Sequence, residues 1–301
     1  MRMLTRYAWL VLVFNVGVIV LGAFVRATGS GAGCGRSWPT CGGELVPQLE
    51  GARAIEFSHR LVSLIAILLV ASLAILVWRG TVRGHPARKG VVLSAIAIAG
   101  EALIGAMIVL GEWVAEDTSV ARAISVPLHL VNTLFLLASL ALTIFWLSGG
   151  GRVTIRHNPR VARFVILGGL ALVLLAASGA VTALADTLFP DEGIGADFSD
   201  EAHFLTRLRV IHPVLAVLAA AISWWLWTRS HSRRPTAAKA LPILVGLMLV
   251  SGSVNVALGV PVWMQLVHLF LADALWVAYV FASADALQAS DVTAARLSPS
   301  R

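Results

Sequence analysis

Residues 56–79 read EFSHRLVSLIAILLVASLAILVWR: a polar turn with Glu56, His59 and Arg60, a long uncharged run, and then Arg79. About 20 apolar residues in a helix rising 1.5 Å per residue are enough to cross the hydrocarbon of a bilayer. Working outward from this run, near 60–78, seven more appear near 7–25, 91–110, 125–147, 164–184, 210–227, 241–260 and 263–284. The composition agrees, with 58% hydrophobic and 13% charged residues over 301, where a soluble domain carries roughly a quarter charged. The expected fold class is therefore all-α, a polytopic membrane protein with eight transmembrane helices. The first run begins with basic residues, but its apolar core exceeds the roughly 7–15 residues of a signal peptide, so it is read as a span.

A net charge of +7 could point to nucleic acid, but the basic residues are spread over alternate loops and do not form one face. Arg2 and Arg6 precede the first span, and Arg79, Arg83, Arg88 and Lys89 follow the second. Arg152, Arg156, Arg160 and Arg163 follow the fourth, and Arg229, Arg233, Arg234 and Lys239 the sixth. The acids, among them Glu44, Glu50, Glu56, Glu112, Glu116, Asp117, Asp186, Asp191, Glu192, Asp197, Asp200 and Glu201, sit in the other loops. By the positive-inside rule both termini face the cytoplasm and the acidic loops face outward across the cell membrane. The basic loops fit contact with anionic lipid of the bilayer, and no nucleic-acid partner is expected.

The two halves of the chain match. Gly22-Ala23-Phe24-Val25-Arg26-Ala27-Thr28 closes span one much as Gly179-Ala180-Val181-Thr182-Ala183-Leu184-Ala185 closes span five, and spans three and seven contain Gly105-Ala106 and Gly252-Ser253. Short glycine-containing matches are weak alone, because small residues recur wherever membrane helices pack. His59, His129, His212 and His268 strengthen the match, since each lies near the start of an even-numbered span. Four helices return the chain to its starting side, so the repeats are parallel. The expected organisation is a four-helix half over 1–148, a cytoplasmic linker over 149–163, a second four-helix half over 164–284, and a short tail over 285–301 rich in small polar residues.

Histidine within a membrane helix is costly and is a candidate functional group. Each of the four lies within about two turns of its helix entry, so all four share one depth. Zinc normally takes four protein ligands, or three and a water. Two imidazoles from facing helices suit the two axial positions of a haem iron, and two pairs suit two haems. Arg26, Arg60, Arg207 and Arg209 stand at the same boundary as candidates for the haem propionates, although any one of them could simply snorkel. The remaining His85, His157, His203 and His231 are read as ordinary solvated loop residues.

The halves differ in one respect. Glu56 stands three residues before His59, on its helical face, whereas Arg209 holds that position before His212. A carboxylate there can take protons or stabilise a developing cation, or it can pair with Arg60 or Arg53 at the surface. Cys34 and Cys41, the only cysteines, lie in the first outer loop. An oxidising compartment favours a disulfide between them, as a structural clip or as a redox-active pair. Glu101 lies inside span three, either as a proton relay or as a neutral hydrogen-bonded group.

Gly22 to Gly31, the Cys34–Cys41 loop with Trp38-Pro39, the Glu56-x-x-His59-Arg60 motif and the three later histidines together closely resemble the haem A synthase family. Members of that family convert haem O to haem A for cytochrome oxidase. The resemblance covers essentially all eight spans. It implies an oxidoreductase that oxidises a ring methyl of haem O to a formyl group by successive hydroxylation. It implies that His212 and His268 hold a haem b cofactor, that His59 and His129 belong to the site of substrate haem O, and that Glu56 is the catalytic carboxylate. A redox donor and a haem O synthase are the partners it suggests. A di-haem quinol-linked electron-transfer protein would need the histidines without Glu56 or the cysteine loop, and a haem carrier would release its haem unchanged.

Overall fold

The computed structural model describes residues 1–156, 159–190, 199–229 and 235–288. The readings that fall on His157, His231, Asp191, Glu192, Asp197, Arg233, Arg234 and the tail from 289 onward lie outside the described residues. The helices are α1 (Arg2–Ala27), α2 (Gly51–Gly80), α3 (Ala87–Leu110), α4 (Val120–Leu147), α5 (Pro159–Leu188), the short α6 (Phe204–Arg207), α7 (Ile211–Arg229), α8 (Pro235–Ala257) and α9 (Val262–Leu287). A 3-10 turn, Leu208–Val210, runs α6 into α7, so the two make one span. Among the described residues eight helices are long and apolar enough to cross a membrane, and this is a multi-pass membrane protein. Among the described residues there are no β-strands beyond isolated bridges.

The helices outrun the apolar stretches at most ends, because polar residues at a helix end are solvated without breaking it. The seventh span is the exception: α8 stops at Ala257, short of the expected 260. Gly259 and Val260 both take positive φ, Leu258 N donates to Val254 O, Gly259 N to Val256 O and Val260 N to Asn255 O, and Pro261 then bars continuation.

Helices α4 and α9 lie at the centre and join the halves. A single buried cluster gathers Val11 of α1, Val70 and Leu73 of α2, Val91 of α3, and Leu137, Leu140 and Ile144 of α4 with Val277, Val280 and Phe281 of α9. The Trp276 indole N–H of α9 donates to the Leu134 carbonyl of α4 at 2.7 Å, and the Tyr279 hydroxyl donates to Val165 O of α5 at 2.6 Å. Small residues let α3 and α4 approach closely, with Gly90 against Thr143 and the Ser94 and Ser139 hydroxyls 2.8 Å apart. The outward faces carry exposed leucine, isoleucine and phenylalanine such as Leu64, Leu68, Ile96, Leu103, Phe135 and Leu174, the surface a lipid solvent requires. At one end of the bundle lie the Cys34–Cys41 loop and the starts of α2, α4, α7 and α9; at the other lie Met1, the 148–156 segment and Gln288, where Thr154 N donates to Leu287 O.

Candidate functional site

Every one of the four histidines packs its ring on a glycine of the preceding odd-numbered span. A Cβ built on Gly22 would stand 2.9 Å from His59 Cε1, one on Gly179 2.8 Å from His212 Cε1, one on Gly252 3.3 Å from His268 Cε1, and one on Gly105 4.0 Å from His129 Cε1. The glycines of the repeat are thus the seats of the histidines. A side chain at Gly22 or Gly179 would force the imidazole to shift, and one at Gly252 would press on it more lightly. The sequence shows these glycines but not their purpose, since a Gly-Ala pair on a membrane helix has many uses.

In the second half the rings of His212 and His268 face each other edge to face, centroids 6.4 Å apart. Their Nδ1 atoms are both occupied. His212 Nδ1 lies 3.1 Å from Ser178 Oγ and 3.2 Å from Leu175 O; His268 Nδ1 lies 2.8 Å from Ser251 Oγ. Each serine hydroxyl is itself donated back to a carbonyl three residues earlier, Leu175 O at 2.8 Å and Met248 O at 3.1 Å. The serine lone pairs therefore accept from Nδ1–H, which puts the proton on Nδ1 and leaves Nε2 as the free lone pair of each ring. Ser178 and Ser251 immediately precede Gly179 and Gly252, so a Ser-Gly step marks both seats of this half; Leu21 and Ile104 stand there in the first half.

The first half is wired differently. The buried His59 Nδ1 has no hydrogen-bond partner. His129 Nδ1 is approached at 3.0 Å by Glu101 Oε2, without the alignment of a conventional hydrogen bond. Glu101 Oε1 accepts from Asn132 Nδ2 at 2.5 Å, and the same amide donates to Ala97 O at 2.8 Å. Glu101 thus belongs to the histidine cluster.

Glu56 is 3% exposed and both its carboxylate oxygens are engaged. Oε2 accepts from the Cys34 backbone N–H at 2.7 Å, and Oε1 pairs with the Arg60 guanidinium. Arg60 also donates to Ser37 O and Thr40 O. The pairing with Arg60 is therefore buried, and it ties α2, one turn from His59, to the first loop. A disulfide links Cys34 and Cys41. Gly33 lets the loop sit directly on the first turn of α2: a Cβ there would meet the Ala52 and Arg53 backbone within 2.6 Å, where nothing can yield.

The four boundary arginines are already bonded within the chain. Arg26 donates to Ala183 O at 2.6 Å, Thr187 Oγ1 at 2.5 Å and Gln265 Oε1 at 2.8 Å, bridging α1 to α5 and α9. Arg60 holds the loop, Arg209 faces Asp186 at 3.5 Å, and the exposed Arg207 donates to Ser199 and Asp200 carbonyls. An arginine at a helix end looks alike in sequence whichever partner it serves. Charge-assisted bonds contribute roughly 1.5–3 kcal/mol each, so Arg26→Met, which loses three of them, should lower unfolding stability by about 2 kcal/mol or more and leave haem content unchanged. Thermal melts with pigment analysis check this; haem loss at full stability would return Arg26 to the propionate role. Arg122, missed in the sequence, is 2% exposed, donates to Ala115 O and Asp117 O and has no partner at Nε. His203 and His85 are not simple solvated residues: His203 accepts from Leu205 N at 3.3 Å and stacks between Phe189 and Phe204, and His85 accepts from Ala87 N at 3.2 Å.

Eight membrane helices with histidines seated pairwise on glycine define a class of membrane protein built around two matched sites. Residues 5–54 and 50–280 match the family profile described as Cytochrome oxidase assembly protein, COX15-CtaA, and the chain belongs to this family, the haem A synthase family that its motifs resemble. A Thermus thermophilus relative named Protoheme IX farnesyltransferase is 45% identical over 295 residues, which cover 95% of this chain and 48% of the relative. Heme A synthases of Bacillus mycoides and Bacillus cereus are 41% and 40% identical over 106 residues, 34% of each chain. The chain thus spans about half the length of the Thermus relative and a third of the Bacillus ones.

Proposed function

We propose that this protein is a haem A synthase, oxidising a ring methyl of substrate haem O to a formyl group for cytochrome oxidase biogenesis. The observation that carries the reading is the second histidine pair. Two imidazoles that shared one metal, each bonded at about 2 Å, would place their ring centres roughly 6 Å apart, and these stand at 6.4 Å with both Nδ1 atoms already hydrogen-bonded. Among the described residues no three His, Cys, Asp or Glu side chains converge on a point where a bare ion could be held. A two-histidine site suits a metal that brings its own equatorial ring.

His212 and His268 would hold haem b, with Ser178 and Ser251 fixing their tautomers. Haem b supplies reversible one-electron chemistry when bound. His59 and His129 would hold haem O as substrate, under the disulfide-closed loop, which faces outward if the basic loops are cytoplasmic. Glu56 would hold a fixed negative charge one turn from His59, since donors occupy both oxygens. That suits it to stabilise positive charge on the oxidised substrate. Glu56–Arg60 also keeps the loop seated on α2 beside the first site.

The test is to express the chain with and without a haem O supply and to identify the extracted haems. Hydroxylated haem O and haem A should appear only with haem O, and His212→Ala should lose haem b from the purified protein. Finding haem b alone in both cultures would sink the enzyme reading and favour a carrier or an electron-transfer protein. The name of the Thermus relative gives a second reading, transfer of a farnesyl group to protohaem. We assign that activity to the half of the relative which this chain does not cover. Farnesylated haem made from haem b by this chain alone would reverse the assignment.

A further inference from the structure

The two histidine pairs are partnered unequally, and the inequality has an electronic meaning. Three Nδ1 environments are neutral or bare: Ser178 with Leu175 O at His212, Ser251 at His268, and no partner at His59. His129 alone has a carboxyl group at its Nδ1, Glu101 Oε2 at 3.0 Å. Glu101 is held there by Asn132, whose amide donates to both Oε1 and Ala97 O. Because Nδ2 faces two acceptors, the amide orientation is fixed by its contacts. Gly100 makes room for it, since a Cβ there would come within 2.8 Å of the Asn132 side chain. Oε1 of Glu101 thus accepts from the Asn132 amide, which leaves Oε2 held 3.0 Å from His129 Nδ1, within reach of a bond from Nδ1–H.

We propose that Glu101 is a positioning residue that sets the donor strength of His129 and makes the two haem sites electronically unequal. A carboxylate on the outer nitrogen of a ligating imidazole fixes its tautomer and raises its basicity, and loss of such a partner typically costs 10–100-fold in metal affinity or activity. A more basic axial ligand favours ferric over ferrous iron. Iron at the carboxylate-backed first site is therefore easier to oxidise than iron at the serine-backed second site. A haem held at the first site would thus sit at the lower potential, the ordering that oxidation of haem O with haem b as acceptor would need. The inference rests on the proposed assignment of His59 and His129 to a haem.

The experiment is a spectroelectrochemical titration of the full chain loaded with haem at both sites, in the wild type, Glu101→Gln and Glu101→Ala. In Glu101→Gln the carbonyl oxygen must still meet the Asn132 amide, which turns the glutamine N–H₂ toward Nδ1, donor against donor. The first-site midpoint should rise in both variants while the second-site midpoint stays in place. A tenfold loss of preference for ferric haem reads as about 59 mV for one electron. A first-site potential equal to the wild type in both variants, or an equal shift at both sites, overturns the proposal; the latter would mark a general structural effect. His129→Ala is the separate control. If it leaves haem content and spectrum unchanged, the first-site haem assignment fails whatever Glu101 does. Glutamine keeps the volume of glutamate, so the test stands even where Glu101→Ala does not fold.

Discussion

Gly179→Val is expected to strip haem b from the protein, and Gly22→Val to abolish haem A production while leaving haem b in place. The glycines are equivalent in the repeat, yet each seats the histidine of a different site. At Gly179 even a Cβ would lie 2.8 Å from His212 Cε1 and 3.2 Å from Nδ1, and at Gly22 2.9 Å from His59 Cε1. Two further methyl groups cannot be absorbed by a ring that is also tied to Ser178 and Leu175 O. Overpacking typically costs 1–3 kcal/mol, which corresponds to roughly a tenfold to hundredfold loss of affinity if it falls on ligand geometry. Pigment content of the purified proteins and product analysis of the cultures read the two outcomes. Equal behaviour of the two variants would mean that the sites are not functionally divided between the halves.

Glu56→Gln should have the second large effect: haem A lost, haem b retained. The substitution keeps the volume, but the carboxylate accepts from two donors, Cys34 N–H and Arg60. An amide can offer its oxygen to only one of them, and its N–H₂ must then face the other. Removing one partner of a buried ion pair costs about 3–5 kcal/mol. The lower figure suits this pair, because Arg60 keeps the Ser37 and Thr40 carbonyls. The loop should loosen as well, which faster proteolysis near Gly42-Gly43 would report. Normal product yield from this variant would remove Glu56 from the chemistry and leave it a purely structural tie.

The spans were legible because a bilayer demands long apolar runs, and the four histidines because such side chains are rare inside them. What they touch was less so. Glu56 reads locally as a carboxylate on the face of His59, but its second partner, Cys34 N, comes from a loop 22 residues earlier, a tertiary contact that no periodicity encodes. Glu101 could be seen as an intramembrane acid. Its task depends on Asn132 and His129 of the next helix, 31 and 28 positions on. The role of the boundary arginines was not legible, because a guanidinium bonded to carbonyls of its own chain and one awaiting an anionic ligand have the same sequence surroundings. Ser178 and Ser251 were overlooked because serine is ordinary on packed membrane helices, and only its place beside the seated ring gives it meaning.

The seam between α4 and α9 also governs the order in which the molecule can be made. The cluster that encloses α4 is closed by Val277, Val280 and Phe281, and the Leu134 carbonyl is met by the Trp276 indole, all supplied by α9. During synthesis the first four helices enter the bilayer well before α9 does. Until it arrives, lipid must cover a face of α4 that belongs against protein. The first half therefore completes its packing only when α9 is inserted, and any haem held at His59 and His129 under the proposed function would be loaded late, as the second site is completed.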